Sequence, residues 1–197
     1  MSFTYLIILI ITLAYPLYRS FDKPLYFIRS WKYLFPAILI VASIYIIWDY
    51  IFALNGYWGF NEKYILGPKI FGLPIEEILF FIIIPYSCIF IYEVVKEIID
   101  EQQRHFNKVW IQPALLIFFA IMLAFNTDKA YTAVASLSAI ITLTLSWIFQ
   151  KRTLPRFYLA FLIIQVPFFI VNGVLTGTGL DEPVVWYNND ENLSIRV

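Results

Sequence analysis

The chain has 197 residues, of which 61% are hydrophobic and 14% charged, and its formal net charge is zero. That apolar fraction stands above the roughly 45–50% of soluble domains, which excludes an ordinary water-soluble domain; the charge balance gives no electrostatic case for a nucleic-acid partner. A single cysteine, Cys88, excludes a disulfide framework and a thiolate metal site.

The apolar residues fall in blocks of about 17–23, the length that crosses a bilayer core. Hydropathy predicts six helices, at Phe3–Tyr18, Tyr33–Leu54, Pro74–Tyr92, Val109–Phe125, Ala130–Phe149 and Pro155–Leu175. The fold class is all-α, a polytopic transmembrane helical bundle. The first block closes on Tyr15-Pro16-Leu17-Tyr18, with no small-residue cleavage site, so it reads as a retained helix and not a signal peptide. Pro36, Pro85, Pro113 and Pro167 are expected to bend their helices, and a kink at Pro85 would open room beside the acids upstream of it.

Ten of the 14 basic residues lie in the stretches 19–32, 93–108 and 151–156, all on one side of the six predicted spans. The positive-inside rule makes that side cytoplasmic. The N-terminus, the Gly56–Gly72 loop and the C-terminal tail then face outward, in an integral protein of what is expected to be a bacterial plasma membrane. His105 sits in the polar run Asp100-Glu101-Gln102-Gln103-Arg104 and reads as a solvated loop residue. In the tail, Trp186 and Tyr187 are placed at headgroup depth.

A weak internal repeat is visible. Ile46-Ile47-Trp48-Asp49-Tyr50-Ile51-Phe52 aligns with Phe169-Ile170-Val171-Asn172-Gly173-Val174-Leu175, and each run is followed by a loop carrying Gly and Trp. Helix one then matches helix five and helix two matches helix six, in parallel orientation. The chain divides into a first repeat of three helices (1–95), a linker with the fourth helix (96–129) and a second repeat of two helices plus a loop (130–197). In this register six of a probable seven spans are present, and the chain is expected to stop short of a second acidic motif.

The chemistry-bearing stretch is Gly72-Leu73-Pro74-Ile75-Glu76-Glu77-Ile78-Leu79-Phe80-Phe81. Pro74 suits a first helical position, and Glu76 and Glu77 fall in the first turn, where the helix dipole favours negative charge. Capping alone would account for them. Ionisable groups in a membrane segment are expensive, however, and point to function by default. Adjacent helical residues lie about 100° apart, so the two acids do not face one another. Which one is buried stays open at this level. Asp49, in Trp48-Asp49-Tyr50, lies near the end of helix two that adjoins the start of helix three, so it can approach the glutamates. Two carboxyls in different environments are a common acid and base pair. Trp48, Tyr50, Trp58, Phe80 and Phe81 surround them, and aromatic faces stabilise cations; aromatics also collect at membrane interfaces without any such role. There is no phosphate-cradling glycine motif, so no nucleotide or flavin cofactor is expected, and no metal-ligand spacing.

On the motif Pro74-x-Glu76-Glu77, with Pro85 downstream, the upstream Trp48-Asp49-Tyr50, and the loop Gly56-Tyr57-Trp58-Gly59-Phe60-Asn61, the sequence resembles the lycopene cyclase domain family. Members occur as heterodimers or fused tandem copies in carotenoid-making bacteria, archaea and fungi. The resemblance implies non-redox cyclisation of the ends of lycopene to β-rings. It implies Glu76 or Glu77 as proton donor, with Asp49 as partner acid or base, and Trp48, Tyr50, Trp58, Phe80 and Phe81 against the polyene. It also implies a homo- or hetero-oligomer that completes the second motif. Two rivals stand beside it: a small proton-coupled solute transporter of parallel-repeat architecture, and an inactive partner subunit.

Overall fold

The structure, a computed structural model, describes residues 3–98, 110–149 and 154–193. Within them six helices form: α1 (Thr4–Arg19), α2 (Trp31–Leu54), α3 (Ile75–Ile98), α4 (Ile111–Phe125), α5 (Ala130–Phe149) and α6 (Leu154–Leu175). His105 and the basic residues Arg104, Lys108, Lys151, Arg152 and Arg196 lie outside the described residues.

Helices dominate for a physical reason. In lipid every backbone N–H and C=O must be satisfied within the segment, and a helix does that alone. Four stretches are long and apolar enough to cross a membrane: Phe27–Leu54, Ile75–Ile98, Ala130–Phe149 and Arg156–Leu175. The first joins α2 to the 3-10 turn Phe27–Ser30 before it. At 16 and 15 residues, α1 and α4 are shorter; they rise about 24 and 22 Å, against a hydrocarbon core of about 30 Å. Ile11, Ile40, Ile47, Leu162 and Ile170 stand exposed on the outer faces of the bundle, surface suited to lipid. Prolines 16, 36, 85 and 167 all lie inside helices, and α3 runs on through Pro85 to Ile98.

At the centre of the packing, α3 lies against α1, α2 and α6, while α4 and α5 form their own antiparallel pair. Two apolar clusters hold the bundle. One gathers Tyr5, Leu9, Tyr64, Ile65, Ile83, Leu175, Val184 and Val185 at the end where α3 begins. The other joins Phe27, Leu34, Ile38, Tyr86 and Phe90 toward the opposite end. The fourth and fifth helices are tied to the sixth through Gln112, whose amide donates to the Leu143 carbonyl at 2.6 Å and whose side-chain oxygen accepts from the Tyr158 hydroxyl.

The loops hold four short strands that hydropathy does not announce: β1 (Trp58–Phe60), β2 (Lys69–Ile70), β3 (Leu73–Pro74) and β4 (Val185–Tyr187). Pro74 therefore differs from its expected place. It ends β3, opposite Lys69, and the helix starts at Ile75, whose N–H is bonded to the Pro68 carbonyl at 3.1 Å. Proline has no N–H to give at this position, and an edge of a two-stranded ladder asks for none. Between β2 and β3 the chain reverses through Phe71 and Gly72, both at positive φ (52° and 82°), as a tight hairpin requires.

β1 and β4 pair antiparallel, with Trp58 opposite Tyr187 and Gly59 opposite Trp186. The tail thus folds back as a strand over the bundle, and Asn61 clasps it twice: its N–H donates to Val184 O at 2.9 Å and its side chain to Glu182 at 2.8 Å. Gly59 is required by contact. A Cβ there would stand 2.4 Å from the Trp186 ring.

Candidate active site

Two carboxylates meet beneath this β1–β4 roof. Asp49 comes from the last turns of α2 and is 3% exposed; Glu77 comes from the first turn of α3 and is 8% exposed. Both line one cavity of about 150 Å³. They are close enough to interact electrostatically. Tyr5, from the start of α1, donates its hydroxyl proton to Glu77 Oε2, a contact that spans 72 residues of sequence. The Trp58 side chain hydrogen-bonds Asp49, while Asp49 Oδ2 is buried with no hydrogen-bond partner among the described residues. A carboxylate oxygen left so is costly; Glu76 Oε2 shares that state, so it is the common cavity that sets Asp49 and Glu77 apart.

Glu76 is placed differently. One residue along the helix means about 100° of rotation, which turns its side chain away from the cavity and toward the loop before α3. It is fully buried, and its Oε1 accepts the Leu66 N–H at 2.6 Å. That bond pins the loop 61–72 against the start of the helix. Glu76 does not line the chamber. Sequence patterning put both glutamates forward; the structure separates one that faces the cavity from one that braces the chain.

The walls are aromatic. Trp48, Trp58, Phe60, Phe80, Phe81, Tyr131 and Tyr187 present rings to the space around the acids. Trp48, Trp58, Tyr131 and Tyr187 touch one another ring to ring, and Phe80 and Phe81 form a separate pair. Trp48 stacks on Tyr131 at 6.5 Å and meets Trp58 edge-on at 5.9 Å. Trp58 in turn meets Tyr187 at 6.1 Å, and Phe80 and Phe81 lie edge to face at 5.7 Å. Of the aromatic residues singled out from sequence, Trp48, Trp58, Phe80 and Phe81 line the cavity. Tyr50 does not: it lies on the outward side of α2, 40% exposed.

Four polar wall residues escaped sequence reasoning: Tyr5, Tyr131, Asn172 and Tyr187. Three of them lie on elements remote from the acidic motif, and Tyr187 is at the end of a four-residue run read as an interfacial anchor. A signal for Asn172 existed, since the internal repeat aligns it with Asp49, and both residues line the same chamber. Burial, and after it the neighbouring Tyr131, Glu77 and Asp49, hold the Tyr187 hydroxyl above the ordinary tyrosine range. Tyr187 is therefore a neutral O–H donor at any physiological pH.

The chamber is a ring-walled space with two carboxyls in its lining. Such a site can deliver a proton to an apolar group, shelter the cation that results against ring faces, and take a proton back.

Residues 2–95 and 128–197 match the lycopene cyclase family. A 60-residue stretch is 33% identical to the bifunctional lycopene cyclase/phytoene synthase of Leptosphaeria maculans, covering 30% of this chain and 10% of that protein. The chain thus aligns with only a small part of that much longer relative. No solved structure matches the chain.

Proposed function

We propose that this chain, which belongs to the lycopene cyclase family, closes the ends of linear lycopene into β-rings within the membrane. Glu77 is the proton donor. Its proton adds to the terminal carbon–carbon double bond and leaves a tertiary carbocation. The neighbouring double bond attacks that cation, forms the ring carbon–carbon bond and moves the positive charge into the ring. Asp49 then accepts a ring proton, which restores a double bond. The proton taken by Asp49 passes back to Glu77, so atoms and electrons balance without a redox partner, the product is an isomer of the substrate, and the enzyme is an isomerase.

The observation that carries this reading is the single cavity that joins Asp49 of α2 to Glu77 of α3 inside a shell of aromatic rings. Ring faces over the chamber supply attraction for a cation. In the same reading Tyr5 orients Glu77 from α1, and Glu76 keeps the roof loop in place. The charge bias of the loops sets the chamber at the outward leaflet, with the N-terminus outward.

The test is pigment analysis in lycopene-accumulating cells. The wild-type chain is expected to convert lycopene to ringed products, whereas Glu77→Gln and Asp49→Asn leave lycopene unchanged at equal protein level. Ringed carotenoid formed at wild-type yield by both variants would remove these residues from the chemistry.

A further inference from the structure

The acid chamber, at about 150 Å³, is smaller than the roughly 300–1,000 Å³ of sites that enclose a drug-sized ligand. It accommodates an end of a long polyene and nothing more. The rest of the molecule must lie elsewhere, and two further cavities follow along α6. A second cavity of about 560 Å³ shares Tyr131, Asn172, Val185 and Tyr187 with the chamber. A third, of about 700 Å³ and lined mainly by apolar side chains, shares Phe168 with the second.

One face of α6 lines all three. Leu154, Phe157, Phe161, Gln165, Phe168 and Asn172 follow one another at steps of three and four residues, the spacing of a single helical stripe. From Leu154 to Asn172 the helix rises about 27 Å, close to the about 30 Å of a hydrocarbon core. The three cavities together follow α6 over a length close to that thickness, and the last of them is the carboxyl chamber.

Resting on the cyclase reading above, the geometry points to this α6 groove as the binding site for the body of the linear polyene. One end enters the chamber between Asp49 and Glu77. The conjugated middle passes Phe168, and the distal end lies in the recess between α3 and α6 beside Cys88 and Ala160. The apolar recess rewards burial of hydrocarbon, and a groove that leads into the acid site favours a substrate over a lipid tail.

Cys88 is the chain's one cysteine and lines the far recess, half-buried, so it reports occupancy without any mutation. Membranes containing the wild-type chain are treated with N-ethylmaleimide, with and without lycopene. Lycopene is expected to slow Cys88 labelling severalfold, and Ser146→Phe, at a partly exposed wall position, to lower conversion of lycopene about tenfold or more by filling the groove. Labelling that is indifferent to lycopene overturns the inference, whether lipid or another helix fills the groove, and so does full conversion by Ser146→Phe. The labelling needs no turnover. A chain that protects Cys88 but makes no ringed product would refute the cyclase reading and leave the groove standing, while an active chain with unprotected Cys88 would do the reverse.

Discussion

The separation of Glu76 from Glu77 gives the sharpest test of the site. Glu77→Gln keeps the size and the carbonyl acceptor for the Tyr5 hydroxyl but has no acidic proton to donate. Proton transfer by a positioned side chain contributes about 10²–10⁴ in rate, so ringed product should fall by at least about a hundredfold. Glu76→Gln also keeps an acceptor for the Leu66 N–H, now 2.6 Å away, and should retain most of its cyclisation. Glu76→Ala has no acceptor and strands that part-buried N–H. Its cost is about 1–3 kcal/mol, and at this chain length each kcal/mol lowers the melting temperature by about 2–4 °C. Each variant is expressed in lycopene-accumulating cells, pigments are separated by chromatography, and melting is followed on protein purified in detergent. The pattern expected is an inactive, normally stable Glu77→Gln beside an active Glu76→Gln and a destabilised Glu76→Ala. An inactive Glu76→Gln of wild-type stability, paired with an active Glu77→Gln, would refute the assignment.

Three further outcomes follow from contacts outside the motif. Tyr5→Phe removes the hydroxyl bonded to Glu77 while keeping the ring, and cyclisation should fall about tenfold for the loss of about 1.4 kcal/mol of charge-assisted hydrogen bonding; an unchanged rate in single-turnover pigment assays would show that Tyr5 only packs. Gly59→Ala drives a methyl into the Trp186 ring and should cost about 1–3 kcal/mol as overpacking; the double variant with Trp186→Ala should recover part of that loss, a coupling that melting curves on all four proteins can measure. The raised Tyr187 hydroxyl makes stability depend on alkaline pH. Above about pH 10 the unfolded tyrosine ionises first, so the folded state holds the extra proton and stability falls as pH rises. Tyr187→Phe should flatten that fall between about pH 10 and 12, and a melting-temperature profile identical to wild type would contradict it.

Composition and block length determined the helical bundle by themselves. Lipid leaves backbone groups no partner but the helix itself, so apolar blocks such as Ala130–Phe149 map onto helices with the same ends. The sequence likewise marked Asp49, Glu76 and Glu77 as the expensive residues, because a carboxyl in an apolar block is costly wherever the chain turns. What it left open was direction. Helix α3 packs against α1, α2 and α6 at once, and only that packing turned Glu77 into the chamber and Glu76 toward Leu66. Tyr5, Asn172 and Tyr187 reach the acids from elements far off along the chain, and the β1–β4 ladder that roofs them rests on backbone bonds that no hydropathy pattern records. Periodicity fixes which residues share a helix face; which neighbour that face meets is settled by side-chain packing between segments, and that exists only in the folded protein.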